Sequence, residues 1–129
     1  MADPLPLSVF IIAKNEADRI HLPIESARTI ADEIIVIDSG SSDGTMEVAR
    51  RLGADEVVFN AWPGYGPQKI YGEKLCRHDW LLNLDADEQL TPELAEELRQ
   101  LFAKGLPEAA LYAIDNVMVF PHETAPHRF

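Results

Sequence analysis

The chain of 129 residues suffices for one domain with a single buried core and is too short for two. Its 22 acidic and 11 basic residues give a net charge of -11, which repels a polyanion at long range and excludes nucleic acid as an expected partner. The apolar stretch Val9 to Ala13 is far too short to span a bilayer, Asp3 and two prolines precede it where a signal peptide would carry basic residues, and Cys76 is the single cysteine. The expectation is a cytosolic protein without an internal disulfide. If an acidic protein of this kind binds a phosphorylated small molecule, it needs a local device, either a metal ion or a cradle of backbone N–H groups.

In chain order, Leu7 to Ala13 is short, apolar and rich in strand formers, as expected of a strand covered on both faces. Ala17 to Thr29 places Ile20, Ile24 and Ala27 at helical spacing, and Pro23 must restart or kink that helix because it lacks an N–H donor. Glu33 to Ile37 is a second buried strand ending at Asp38. The loop Ser39-Gly40-Ser41-Ser42-Asp43-Gly44 then opens a helix that closes at Gly53. Glu56 to Phe59 is a third strand, followed by a loop of Pro, Gly and aromatic residues and a helix from Pro67 to about Arg77. Trp80 to Leu84 is the fourth strand. Beyond Asp85-Ala86-Asp87-Glu88, Thr91 caps a helix with Pro92 at its first position and an apolar stripe of Leu94, Leu98, Leu101 and Phe102. A last strand is expected within Leu111 to Val119, and residues 120–129, with two prolines and no periodicity, are expected to form a loose tail. Strands alternating with helices over short loops predict a mostly parallel α/β sheet flanked by helices, in one domain spanning residues 1–129.

Ligands of such sheets bind at the carboxyl ends of the strands, and the polar residues gather there. Lys14, Asn15 and Glu16 follow the first strand, Asp38 to Asp43 the second, and Asp85 and Asp87 the fourth. Residues two apart in an extended segment point to one side, so Asp85 and Asp87 can offer carboxylates to one hard cation, Mg or Mn, with waters and phosphate oxygens completing its shell. The competing reading is that these carboxylates are solvated beyond a strand end, with Asp87 or Glu88 favouring the following helix. His21, His78, His122 and His127 show no spacing that would place two on one metal and receive no role.

Other nucleotide folds make specific demands on the same edge. A dehydrogenase needs G-x-G-x-x-G after the first strand, and Ala13 to Asp18 contains no glycine. A P-loop needs G-x-x-x-x-G-K-S/T, whereas Gly64-Tyr65-Gly66 is followed by Pro67-Gln68-Lys69. A phospho-receiver domain wants an acidic pair after its first strand, of which Glu16 supplies one member, and it stays a distant alternative.

The set Ser8 to Glu16, Asp32 to Thr45 and Asn83 to Glu88 resembles family 2 glycosyltransferases in order and spacing. Trp62-Pro63-Gly64-Tyr65-Gly66-Pro67-Gln68-Lys69 resembles the subgroup that adds a sugar, often glucose, to the lipopolysaccharide core of bacteria. The resemblance covers about Ser8 to Leu98 and implies a GT-A-like, Rossmann-like fold, with the chain ending after the donor-binding half. It further implies that Ala13, Lys14, Asn15 and Glu16 line a nucleotide pocket and that Asp38, beside Ser39 and Gly40, accepts a hydrogen bond from base or ribose. Asp85 and Asp87, with Ala86 between them, would hold a divalent cation on the donor diphosphate. Lys69 reads either as an assisting cation there or as a solvated lysine. Trp62 and Tyr65 read either as a wall of the donor or acceptor site or as loop packing.

The implied activity is inverting, metal-dependent transfer from a nucleoside-diphosphate sugar, UDP-linked by preference, to a saccharide or lipid-linked acceptor. The alternative is a module that binds a sugar nucleotide without turning it over. The implied place is the cytoplasm, at the inner face of the cytoplasmic membrane, through peripheral association. The general base of inverting transfer lies downstream of the D-x-D motif in the family, and none of Asp115, His122 and Glu123 is assigned that role. A sheet edge left exposed by a missing acceptor half would favour self-association into a homo-oligomer.

Overall fold

Leu7 to Ala13 and Ile34 to Ile37 carry apolar side chains on both faces of the pleat, and such strands persist only where both faces are covered. The computed structural model, which describes residues 3–104, 117–118 and 127–128, places them at the centre of a parallel sheet. Strands β1 (Leu5–Ala13), β2 (Ala31–Asp38), β3 (Glu56–Phe59) and β4 (Trp80–Asp85) lie in the order β3-β2-β1-β4, every neighbouring pair parallel. The crossovers are α1 (His21–Arg28) from β1 to β2, α2 (Thr45–Arg51) from β2 to β3 and α3 (Tyr65–Leu75) from β3 to β4, with α4 (Pro92–Ala103) following β4. A separate two-residue ladder pairs β5 (Val117–Met118) antiparallel with β6 (His127–Arg128). The rest of the expected last strand and of the expected loose tail lies outside the described residues.

The two faces of the sheet are covered by different helices. Leu7, Val9, Ile11, Ala13, Ile34 and Val36 form one core with Ile24 and Ala27 of α1, Ala49 of α2 and Ala95 of α4. Phe10, Ile35 and Ile37 form the other, against Tyr71 and Leu75 of α3. The apolar stripe of α4 behaves as its spacing predicts: Leu94 and Leu98 join the first core, and Phe102 meets Trp80 edge-on at 6.1 Å. Thr91 caps that helix, its Oγ1 accepting from Leu94 N at 3.1 Å, with Pro92 next in line.

Two helices begin elsewhere than expected. The turn from Ala17 to Ile20 is not α-helical, and α1 starts at His21, which puts Pro23 in the first turn where its missing N–H has no helical acceptor to lose. Helix α3 begins two residues early, at Tyr65, and Pro67 again falls in the first turn.

Helix α3 approaches the sheet closely at Gly72. A Cβ there would stand 2.7 Å from Phe10 Cδ2 and 3.0 Å from Ile37 Cδ1, and both of those side chains are buried. Gly72→Ala therefore sets about 1 kcal/mol of gained helix propensity against an overpacking cost of about 1–3 kcal/mol. The clash prevails, because neither neighbour has space to yield. The variant is expected to unfold at lower urea concentration, by about 1 kcal/mol, with an unchanged denaturant slope.

At the amino end of the strands, far from the polar loops, the buried carboxylate of Glu33 is fully occupied. It accepts from Ser8 Oγ at 2.8 Å, Arg77 N at 2.8 Å and Arg77 Nε at 2.9 Å. His78, left without a role on its spacing, pairs with Asp32 at 2.8 Å beside this network. Cys76 sits just past α3, and burial, reinforced by the Glu33 charge, pushes its thiol up to about 11, so it is not a reactive thiolate.

Candidate functional site

Parallel register decides which strand ends share an edge. Ala13 lies opposite Asp38 and Ile12 opposite Asp85, so the loops after β1, β2 and β4 open together at the carboxyl edge. The β1–β4 boundary is where the strand order reverses, the position at which open α/β sheets form a crevice.

The loop after β2 is shaped by its own acid. Asp38 is 1% exposed, and its carboxylate accepts from Gly40 N at 3.0 Å, Ser41 N at 2.8 Å and Ser41 Oγ at 2.5 Å. This fold-back lets Gly40 take φ 128°, a region closed to most side chains. The loop after β1 is then stitched to it. Asn15, at φ 54°, donates its N–H to Ser41 Oγ at 2.8 Å and accepts Ser42 N on Oδ1 at 2.8 Å. Asparagine tolerates that left-handed conformation better than most residues. Glu16 N donates to Thr45 Oγ1 at 3.0 Å and Ala17 N to Asp43 Oδ2 at 3.2 Å, while the Glu16 carboxylate pairs with Arg19 at 2.8 Å. Asn15 and Glu16 thus spend much of their polar capacity holding two loops together.

Asp43 joins this stitching, and its pKa responds. Hydrogen bonding from the Thr45 hydroxyl, aided by the amides of Ala17 and Thr45 and opposed by partial desolvation, holds its carboxyl below the ordinary value of 3.8. A depressed folded-state pKa contributes stability that is complete above the unfolded value and lost as pH falls through the folded one. Amide exchange at Ala17 and Thr45, corrected for its intrinsic pH dependence, is expected to lose protection as pH drops below about 4, and Asp43→Asn should remove that pH dependence.

The third loop is a closed turn. Glu88 N donates to Asp85 O at 3.0 Å, and Asp85 N donates back to Glu88 Oε1 at 2.7 Å. Leu90 N donates to Ser26 Oγ at 3.0 Å, fastening the turn to α1. Asp85 and Asp87 are exposed on either side of Ala86, which is buried in the core. Desolvation raises the Asp85 pKa, the charge of Asp87 raises it further, and Lys69 opposes both. Glu88 is likewise raised, by desolvation above all, though the Asp85 N–H pulls the other way. A carboxylate whose ionised form is disfavoured by desolvation and by a second carboxylate two residues on is one that a small oxygen-loving cation would stabilise. Among the described residues no cluster of three or more His, Cys, Asp or Glu side chains is arranged for a metal, so a cation at Asp85 and Asp87 would depend on water and ligand oxygens for the rest of its shell.

A depression of about 300 Å³ is lined by Lys14 from the loop after β1, Ser39 from the loop after β2 and Trp62 from the loop after β3. Trp62 and Tyr65 are both about half exposed and tilt against each other at 6.4 Å. The two rings pack on each other, and Trp62 also lines the depression. The edge therefore gathers Lys14, Gly40, Asp85 and Asp87 with exposed surface, while Ala13, Asp38, Ser39 and Ala86 are buried beneath it, Ser39 lining the depression. One residue escaped the sequence reading. Gln68 is fully buried, with its side-chain amide hydrogen bonded to Asn60 and Ser39. A glutamine on the first turn of a helix carries no signal of this in its local pattern.

Comparison with known proteins bears on this edge. The profile of glycosyl transferase family 2 matches residues 8–129. An uncharacterized glycosyltransferase of Rickettsia bellii (strain RML369-C) is 45% identical over 124 residues, covering 95% of this chain and 42% of the relative. The lipopolysaccharide core biosynthesis glycosyltransferase LpsC of Rhizobium meliloti (strain 1021) is 39% identical over 107 residues, covering 80% of this chain and 39% of LpsC. The chain thus spans about two fifths of the length of these relatives. Among solved structures, mannosyl-3-phosphoglycerate synthase from Rubrobacter xylanophilus superposes with a TM-score of 0.65 at 26% identity, over 79% of this chain and 37% of that one. Glucosyl-3-phosphoglycerate synthase from Mycobacterium tuberculosis, in complex with Mn2+, UDP and glucosyl-3-phosphoglycerate, superposes at 0.62 with 25% identity, over 81% of this chain and 41% of that one.

Proposed function

Because this chain belongs to glycosyl transferase family 2, we propose that the carboxyl edge of its sheet is the donor site of an inverting, metal-dependent sugar transfer from a nucleoside-diphosphate sugar, UDP-glucose foremost. The acceptor is a saccharide or lipid-linked glycan of the lipopolysaccharide or cell envelope, met at the inner face of the cytoplasmic membrane by a peripheral contact. The similarity to LpsC supports that acceptor class, and the solved synthase complexed with Mn2+ and UDP supports the donor class. Among the described residues no helix is long and apolar enough to cross a membrane.

The observation that carries the reading is the register that brings the ends of β1, β2 and β4 to one edge, the edge that bears Lys14 and Ser39 of the depression and the turn of Asp85 and Asp87. In this reading Lys14 supplies local positive charge in a protein of net charge -11, which diphosphate binding requires. The Asp38 loop, pinned to Asn15 and Glu16, is rigid before the ligand arrives, so little ordering cost falls on binding. Asp85 and Asp87 hold the divalent cation, and Lys69 offsets their charge from α3. That cation, when bound, supplies Lewis-acid stabilisation of the negative charge that grows on the departing nucleoside diphosphate. Trp62 offers an aromatic face to the base or the sugar.

Titration calorimetry with UDP-glucose, with and without Mn2+, tests the site, and release of UDP in the presence of acceptor lipopolysaccharide tests transfer. Binding that requires Mn2+ is the expected result. No binding of any UDP-sugar with or without Mn2+ would sink the donor-site reading. Metal-dependent binding without UDP release would favour the alternative, a module that holds a sugar nucleotide without transferring from it.

A further inference from the structure

We infer that Gln68 is a positioning residue of the donor site, whose side-chain amide turns the Ser39 hydroxyl into a hydrogen-bond donor aimed at the depression shared with Lys14 and Trp62. The inference rests on the donor-site reading above and adds to it a residue and a direction of hydrogen bonding.

Gln68 lies in the first turn of α3 and is 0% exposed. Its Nε2 donates to the main-chain oxygen of Asn60 at 2.8 Å and to Ser39 Oγ at 3.2 Å, and its Oε1 accepts from Asn60 Nδ2 at 2.6 Å. The assignment of oxygen and nitrogen in this amide is decided by chemistry. A main-chain carbonyl can only accept, so the atom facing Asn60 O must be the nitrogen. Its two protons are then both committed, one to Asn60 and one to Ser39.

The consequence falls on Ser39. A hydroxyl has one proton and two lone pairs, and Gln68 occupies a lone pair. The proton must point elsewhere, and no hydrogen bond among the described residues has Ser39 Oγ as its donor. Ser39 is 8% exposed and lines the depression, so the direction left to its O–H is toward a ligand there. A phosphoryl or carbonyl oxygen of a nucleoside diphosphate accepts such a bond.

A double-substitution cycle on the 129-residue chain, read as UDP affinity by calorimetry with Mn2+ present, tests this role. Ser39→Ala leaves the Gln68–Asn60 bonds in place and is expected to weaken UDP about tenfold. Gln68→Met, of similar length and without hydrogen-bonding groups, is expected to weaken UDP by about threefold to tenfold when Ser39 is present and by under about twofold when Ser39→Ala is already made. Equal losses from Gln68→Met in both backgrounds, or unchanged affinity in Ser39→Ala, would overturn the inference. If circular dichroism shows Gln68→Met unfolded, Gln68→Glu replaces it: burial favours the neutral acid, whose O–H donates to Asn60 O and whose other oxygen still accepts from Asn60 Nδ2, leaving no proton for Ser39, so that the Ser39 hydroxyl turns to the acid oxygen and away from the ligand. A loss matching that of Ser39→Ala then supports the role, and retained affinity overturns it. Should the unsubstituted chain bind no UDP, the donor-site reading falls and this role with it, an outcome distinct from any of those above.

Discussion

Joint replacement of Asp85 and Asp87 by asparagine is expected to abolish the Mn2+ dependence of UDP binding and to weaken binding at saturating Mn2+ by at least about a hundredfold, close to 2.8 kcal/mol. The size follows from charge. Two unit charges about 4 Å apart attract by about 4 kcal/mol at an effective dielectric of about 20, and a divalent cation between two carboxylates gains more, less the cost of desolvating all three. Asparagine keeps the shape and an oxygen but removes both charges. The same change should not destabilise the metal-free protein. The Asp85 pKa is raised by desolvation and by Asp87, so its ionised form is disfavoured by folding, and removing both charges relieves that repulsion. A melting temperature without metal that equals or exceeds that of the unsubstituted chain, together with lost Mn2+ dependence, is the expected pair of results. Retained Mn2+ dependence would place the metal elsewhere, and a marked fall in melting temperature would mean that these aspartates serve the turn and not a ligand.

Asp38→Ala is expected to cost about 2–4 kcal/mol of folding stability and to weaken UDP binding in parallel. The carboxylate is 1% exposed and accepts from Gly40 N, Ser41 N and Ser41 Oγ. Bonds to a charged acceptor are each worth about 1.5–3 kcal/mol, but Gly40 and Ser41 have some access to water and recover part of the loss. A cost of this size is a large share of an ordinary folding free energy of about 5–15 kcal/mol. Asp38→Asn separates the roles. Its Oδ1 can still accept the two amides, and the Ser41 hydroxyl can reverse to accept from Nδ2, so stability should fall by only about 1 kcal/mol. If Asp38 also accepts a hydrogen bond from base or ribose, UDP affinity in Asp38→Asn should fall further than that stability loss would suggest. Equal stability of Asp38→Ala and the unsubstituted chain, measured by urea unfolding, would show that the loop is held by its links to Asn15 and Thr45 instead.

Much of this fold is legible in the chain, because strands and helices answer to local rules. The continuous apolar runs ending at Ala13 and Asp38 announce buried parallel strands, and Thr91-Pro92 marks the start of α4 where the structure has it. The D-x-D after β4 and the polar loops after β1 and β2 mark the edge before any coordinates are seen. The start of α1 was less legible, because the apolar spacing of Ile20, Ile24 and Ala27 runs on through Pro23 and gives no sign of where hydrogen bonding begins.

By itself the sequence determined the parallel α/β class, the strand ends at which polar residues collect, and the family, since each of these depends on periodicity, composition or motif order within a few residues. Only the tertiary structure decided that Asp38 builds its loop while Asp85 stays exposed, that Gln68 joins Ser39 across 29 residues and Asn15 joins Ser41 across 26, and that α3 packs on the sheet through Gly72. The reason is that register and helix packing choose the partners of a polar side chain. Burial then makes each such choice obligatory, since a buried donor or acceptor left without a partner costs more free energy than its local sequence preference can supply.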